Sequence, residues 1–154
     1  MQSVGALSSP YIDKGACPFE GCVYREWTAK KAIDLYDKPN GTRIVGHLRA
    51  GEHVAGLTGE VHSIPIRVVA KENIPDPEHP DRTMIPKGQG FYVIHYLGEG
   101  NWLAWYRGNL TTVESMSEDG PFPQATWWVQ VKTSKGIIAW TVSLNNLDNQ
   151  DRFG

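Results

Sequence analysis

The chain has 154 residues with 15 basic and 17 acidic side chains, a formal net charge of −2 and 40% hydrophobic residues. This composition fits one ordinary globular domain or two small barrels of roughly 60–70 residues each, whose cores are marginal unless the barrels pack together. No Lys/Arg-rich run is present, which argues against nucleic acid as a partner, and no apolar run is long enough to span a bilayer.

Residues 1–24 have few periodic apolar positions and read as an N-terminal arm. Met1 to Pro10 has no charged n-region and no apolar h-region, so no signal peptide is expected in this stretch. Its polar texture looks like the start of a mature exported chain, for which the expected location is the periplasm or the extracellular space. Cys17 and Cys22 flank Pro18-Phe19-Glu20-Gly21, a turn-forming spacer that suits a small disulfide loop in an oxidising compartment. Two free thiols in a reducing compartment are the alternative. Two cysteines without two further ligands make a poor zinc site.

Strand signals begin at Ile33 to Tyr36. Asp37-Lys38-Pro39-Asn40-Gly41 is a turn, because Pro presets φ and Asn-Gly tolerates positive φ. Ile44 to Leu48 is the next strand, Arg49 to Glu52 a break, and His53 to Leu57 a third strand. Pro65, Pro75, Pro77, Pro80 and Pro86 make the following region resistant to helix, and Lys71 to Thr83 reads as a long loop. Phe91 to Leu97 and Trp102 to Tyr106 are strands about the Gly98-Glu99-Gly100-Asn101 turn. Residues 114–125 read as loop. Trp127 to Trp140 forms a hairpin about Ser134-Lys135-Gly136. Ser143 to Leu147 suggests a 3₁₀ turn and a last short strand. No amphipathic helix of ten or more residues is expected, so the fold class is all-β.

Two stretches resemble the halves of a bacterial SH3 (SH3b) domain. Leu35 to Val54 carries the strand, the Pro/Gly loop, Val45-Gly46-His47-Leu48 and Gly51-Glu52-His53-Val54 of the first half. Trp128-Val129-Gln130-Val131 and Gly136-Ile137-Ile138-Ala139-Trp140 are similar to the second half, with Ala139-Trp140-Thr141 where the family usually has Gly-Trp-Val. A further partial likeness runs from Ile85 to Val93 and from Asn101 to Gly108. The resemblance implies two small SH3-like barrels packed together, with little helix. In a nested arrangement, residues 25–61 plus 119–154 form the first barrel and residues 62–118 an inserted second one. The alternative is tandem barrels over 25–70 and 85–150.

The resemblance further implies a non-catalytic binding module for cell-wall peptide or glycan. A protein–protein interaction or scaffold unit is the runner-up, and a cysteine hydrolase built on Cys22 with His62 or His95 is the third reading. Cys22 lacks the helix N-terminus or cationic neighbour that activates a thiol, so no enzyme is expected. Trp27, Trp102, Trp105, Trp127, Trp128 and Trp140 are many for this length. Neighbours in a strand face opposite sides, so Trp127 and Trp128 cannot both point into one core, nor can Trp102 and Trp105. The expected aromatic groove draws on Tyr36, Tyr92, Trp102 and Trp128, with Glu99 at its rim to meet an amine. His47, His53, His62 and His95 match no metal-ligand spacing, and Glu60, Glu99, Glu114, Glu118 and Asp119 form no recognisable acid pair. No metal and no cofactor are implied.

Overall fold

The computed structural model describes residues 7–114, 121–143 and 145–153. The fold is all-β, with no helix among the described residues and therefore none long and apolar enough to cross a membrane. Contacts divide the chain into two units. One comprises Asp13–His62 with Thr126–Gly154; the other comprises Met1–Ile12 with Ser63–Ala125. The first is thus discontinuous in sequence, with residues 63–125 lying between its two parts.

The strands of the discontinuous unit are β1 (Tyr11–Lys14), β2 (Glu26–Ala29), β3 (Ile33–Tyr36), β4 (Ile44–Leu48) and β5 (His53–Ser63), with three more described below. Between β3 and β4 the Asp37–Gly41 turn closes through Gly41 N–H to Lys38 C=O at 3.0 Å, with Asn40 at φ 58°. Asn accepts that left-handed conformation better than other side-chain-bearing residues do. The strands of the second unit are β6 (Ile66–Val69), β7 (Ile74–Pro75), β8 (Thr83–Ile85), β9 (Gly90–Gly98), β10 (Asn101–Tyr106) and β11 (Asn109–Glu114). They form a four-stranded sheet in the order β11-β10-β9-β6 and the small β7–β8 pair. Val93, Phe91, Ala104 and Val113 centre its core. The chain then completes the first unit with β12 (Ala125–Thr133), β13 (Ile138–Val142) and β14 (Leu147–Asp148), giving the order β14-β2-β5-β12-β13-β3-β4 with β1 beside β5.

The expected strands at 33–36, 44–48, 91–97 and 102–106 and the terminal hairpin are all present. The segment read as an arm contributes β1, and Cys22 forms an isolated bridge to Asp151. The loop from Lys71 to Thr83 contains the short β7, which pairs with β8. Leu144, Glu118 and Asp119 lie outside the described residues, and the last short strand is β14.

One aromatic cluster organises the core of the discontinuous unit. Trp27 is wholly buried and meets Tyr24 at 5.5 Å and Trp127 at 5.9 Å between ring centroids. Phe19 meets Trp127 edge-on at 5.7 Å. The Trp127 indole N–H donates to the Tyr24 hydroxyl at 3.0 Å, which donates in turn to the Ala16 carbonyl at 3.3 Å. Trp27 donates to the Val23 carbonyl at 3.1 Å. Every polar tip in the cluster is therefore satisfied, as buried aromatics require.

Two glycines of β5 make room for these rings. A Cβ on Gly56 would lie 2.7 Å from the Trp27 ring, and one on Gly59 would run into the Tyr24 hydroxyl, the Trp127 indole nitrogen and the Trp128 carbonyl. The Cys17 and Cys22 sulfurs stand at disulfide distance and hold Phe19 and Tyr24 against the cluster. Closing so short a loop stabilises the fold by about 2 kcal/mol on the chain-entropy account.

Two outcomes follow from this core. Gly59→Ala forces a backbone carbonyl and two hydrogen-bonded ring groups apart, and is expected to cost about 3 kcal/mol in urea unfolding. Burial raises the Tyr24 phenol above its ordinary value near 10, and the Trp127 hydrogen bond offsets this in part. Above about pH 10 the unfolded chain releases this proton while the native chain keeps it, so stability is full below that pH and falls as pH rises. Tyr24→Phe is expected to flatten that alkaline fall, measured as unfolding free energy against pH.

Candidate functional site

β12 presents two tryptophans to opposite faces of its sheet. Trp127 joins the core, while Trp128 packs on the other face against Tyr36 at 6.2 Å and His62 at 6.5 Å. Trp140 stands opposite Tyr36 in the β13–β3 register and opposite Gln130 in the β12–β13 register, on the same outer face. An open cleft of about 670 Å³ lies here, bounded by Tyr36, Trp128, Asp34, Asn40, Thr141 and Asn146. Aromatic walls with a few polar groups at the rim match the usual make-up of a ligand site.

Beneath this cleft lies a polar chain that the sequence reading did not assemble. The His62 side chain is 7% exposed and that of Glu60 13%, and His62 Nε2 donates to the Glu60 carboxylate at 2.8 Å. His62 Nδ1 accepts from the Asn40 side-chain amide at 3.1 Å. Glu60 and His62 are two residues apart in β5, which puts both on one face of the strand. Asn40 reaches them from the β3–β4 turn, whose left-handed residue it is. The sequence signal for this pair is Glu-x-His within a strand, which matches neither a metal-ligand spacing nor an acid pair. Asp34 accepts a separate hydrogen bond from His47 Nδ1 at 2.8 Å on the exposed rim.

Of the residues expected to form a groove, Tyr36 and Trp128 are in ring contact. Tyr92, Glu99 and Trp102 belong to the second unit. There Trp102 contacts Tyr96 at 5.1 Å and stacks on Phe122 at 5.5 Å, packed against the core. Tyr92 lies on the opposite face of β9 from the core residues Phe91 and Val93, half-exposed beside Trp105 in register. Trp102 and Tyr92 therefore do not share one surface. Glu99 occupies the turn tip at φ 52°. This unit has its own cavity of about 750 Å³, walled by Val68, Ala70, Ile74 and Phe91 with Lys71 and Lys87 at its edge. Among the described residues its lining carries no hydrogen-bonded side-chain array comparable to that beside Trp128.

Cys17 and Cys22 are the chain's two cysteines and are both bridged, so neither offers a thiol. Comparisons with protein families, curated proteins and solved structures gave no match to this chain.

Tyr36 is half-buried and Trp128 buried, so their substitutions should separate. Tyr36→Ala is expected to leave the fold intact at a cost of about 1 kcal/mol, the size of one aromatic pair contact. Trp128→Ala is expected to cost about 3–5 kcal/mol. Urea unfolding followed by circular dichroism measures both.

Proposed function

We propose that this chain is a non-catalytic binding module of an exported bacterial protein, and that it takes cell-wall peptide or glycan in the Tyr36–Trp128 cleft. The observation that carries the reading is the cleft itself: an open hollow where the half-buried Tyr36 ring meets the buried Trp128, with Asp34 and Asn40 among its lining. Flat rings bury ligand area at low entropic cost, and the polar rim supplies orientation. The all-β architecture of short strands is compatible with the SH3b resemblance, which stays part of the proposal. Export is supported by the Cys17–Cys22 bridge, because disulfides persist in oxidising compartments. The same bridge argues against a cysteine hydrolase, since a bridged sulfur is no nucleophile.

The test is co-sedimentation with insoluble peptidoglycan. The wild type is expected to bind, and Tyr36→Ala to bind about tenfold more weakly, equivalent to roughly 1.4 kcal/mol. Glu99→Gln, in the other unit, is expected to bind as the wild type does. Equal binding by a folded Tyr36→Ala moves the site elsewhere. Absence of wild-type binding transfers the reading to a protein partner.

A further inference from the structure

We infer that Asn40 determines which hydrogen-bonding groups the cleft accepts, and that the Glu60–His62 pair beneath it sets Asn40 by protonation. The inference rests on the Tyr36–Trp128 cleft being the ligand site. With His62 neutral, its single N–H sits on Nε2 and is held by Glu60. Nδ1 is then an acceptor, and it takes the Asn40 amide N–H₂. This fixes the amide orientation. Asn40 Oδ1 has no hydrogen-bond partner among the described residues, and Asn40 lines the cleft. In this state the lining of the cleft includes the Asn40 amide, with its oxygen unpartnered, and Asp34, whose carboxylate also accepts from His47. They suit a ligand group that donates: an amine or an amide N–H.

Protonation reverses the arrangement. An imidazolium has two N–H donors and no acceptor. Glu60 still holds Nε2–H, but Nδ1–H now faces an N–H₂ group. A buried donor left unpaired is costly. The amide relieves this by rotating half a turn, because its O and N are nearly the same size and no heavy atom has to leave its place. Oδ1 then accepts from Nδ1–H, and the amide N–H₂ turns toward the cleft. The same position changes from acceptor to donor.

From its own strand His62 faces Glu60; from β12 it faces the uncharged Trp128 ring; from the β3–β4 turn it faces the Asn40 amide. β1 also pairs with β5 and brings the half-buried Asp13 and the exposed Lys14 alongside it. The turn's charged residues, Asp37, Lys38 and Arg43, are exposed, as is Asp34 on β3, and Tyr36 reaches the imidazole only through Trp128. Among the described residues, Glu60 is the charged group that hydrogen-bonds His62.

The decisive measurement needs no ligand. ¹⁵N NMR of the imidazole and of the Asn40 side-chain amide is followed from about pH 4 to pH 9 across the histidine range. The expected result is an Nε2–H tautomer in the neutral state, and Asn40 amide signals that move with the His62 titration. In His62→Gln the Asn40 signals should be independent of pH. An Nδ1–H tautomer, an imidazole that keeps one protonation state throughout, or Asn40 signals indifferent to the His62 titration overturns the inference, and these readouts on the wild type hold even if His62→Gln fails to fold. Peptidoglycan co-sedimentation is the second arm. Wild-type binding is expected to weaken about tenfold on acidification through the His62 titration, and binding by His62→Gln to stay level. Wild-type binding that is level across that titration overturns the link between Asn40 and the ligand. If peptidoglycan fails to bind at every pH, the wall-ligand reading falls, while the NMR result still decides whether His62 controls Asn40.

Discussion

The discontinuous unit depends on the space that Gly56 and Gly59 leave above β5. Trp27 lies over the first, and Tyr24 and Trp127 over the second, so a strand with side chains at both positions would exclude the rings that form the core. Inward positions along β5 run Val54 and Gly56, then Gly59 and Val61. The alternation therefore shifts by one residue between the two glycines, as it does at a β-bulge. The cluster draws its members from distant parts of the chain: Phe19 from the disulfide loop, Tyr24 from the segment just after it, Trp27 from β2 and Trp127 from β12. Folding of this unit consequently requires both of its sequence parts, a non-local pairing that slows folding in all-β proteins.

The same shift decides the outer face. With Val61 pointing inward, Glu60 and His62 are turned outward, toward Trp128 and the Asn40 turn. Without the extra residue, Gly59 and Val61 would take the outward positions, and the imidazole would enter the hydrophobic core. Core packing and the polar chain under the cleft are thus two consequences of one irregularity in one strand. A nearly buried carboxylate hydrogen-bonded to an imidazole adds little net stability, because desolvation offsets most of the attraction. What the pair does hold is Asn40: Glu60 fixes the imidazole, and the imidazole takes the Asn40 amide.

Much of this was legible in the residues. Period-two alternation already required Trp127 and Trp128 to face apart, and Asp37-Lys38-Pro39-Asn40-Gly41 marked its turn through proline and Asn-Gly chemistry. The less legible strands lacked local signals. β1 and β11 are half-exposed; β1 takes its partner β5 from far along the chain, while β11 mixes polar with apolar residues and folds back on β10 through the short Arg107-Gly108 turn. β7 and β8 are too short to show a period. Nothing local to Gly56 and Gly59 announces their role, because the rings that need their bareness lie far away in the chain. Tyr36 and Trp128 belong to one unit and Tyr92, Glu99 and Trp102 to the other, a division that a count of aromatic residues does not reveal.

Asn40 shows how one position carries two constraints. Its backbone adopts the left-handed region, where glycine would serve as well or better. Turn geometry alone does not select a side chain there. The amide that reaches His62 does, because glycine would leave Nδ1 without a donor and aspartate would set a carboxylate against the imidazole lone pair. Asn is the residue that suits the turn and can also both donate to and accept from an imidazole. That dual capacity is what the neutral and protonated states of His62 require in turn, and it places the specificity of the cleft in a residue that the sequence presents as a simple turn former.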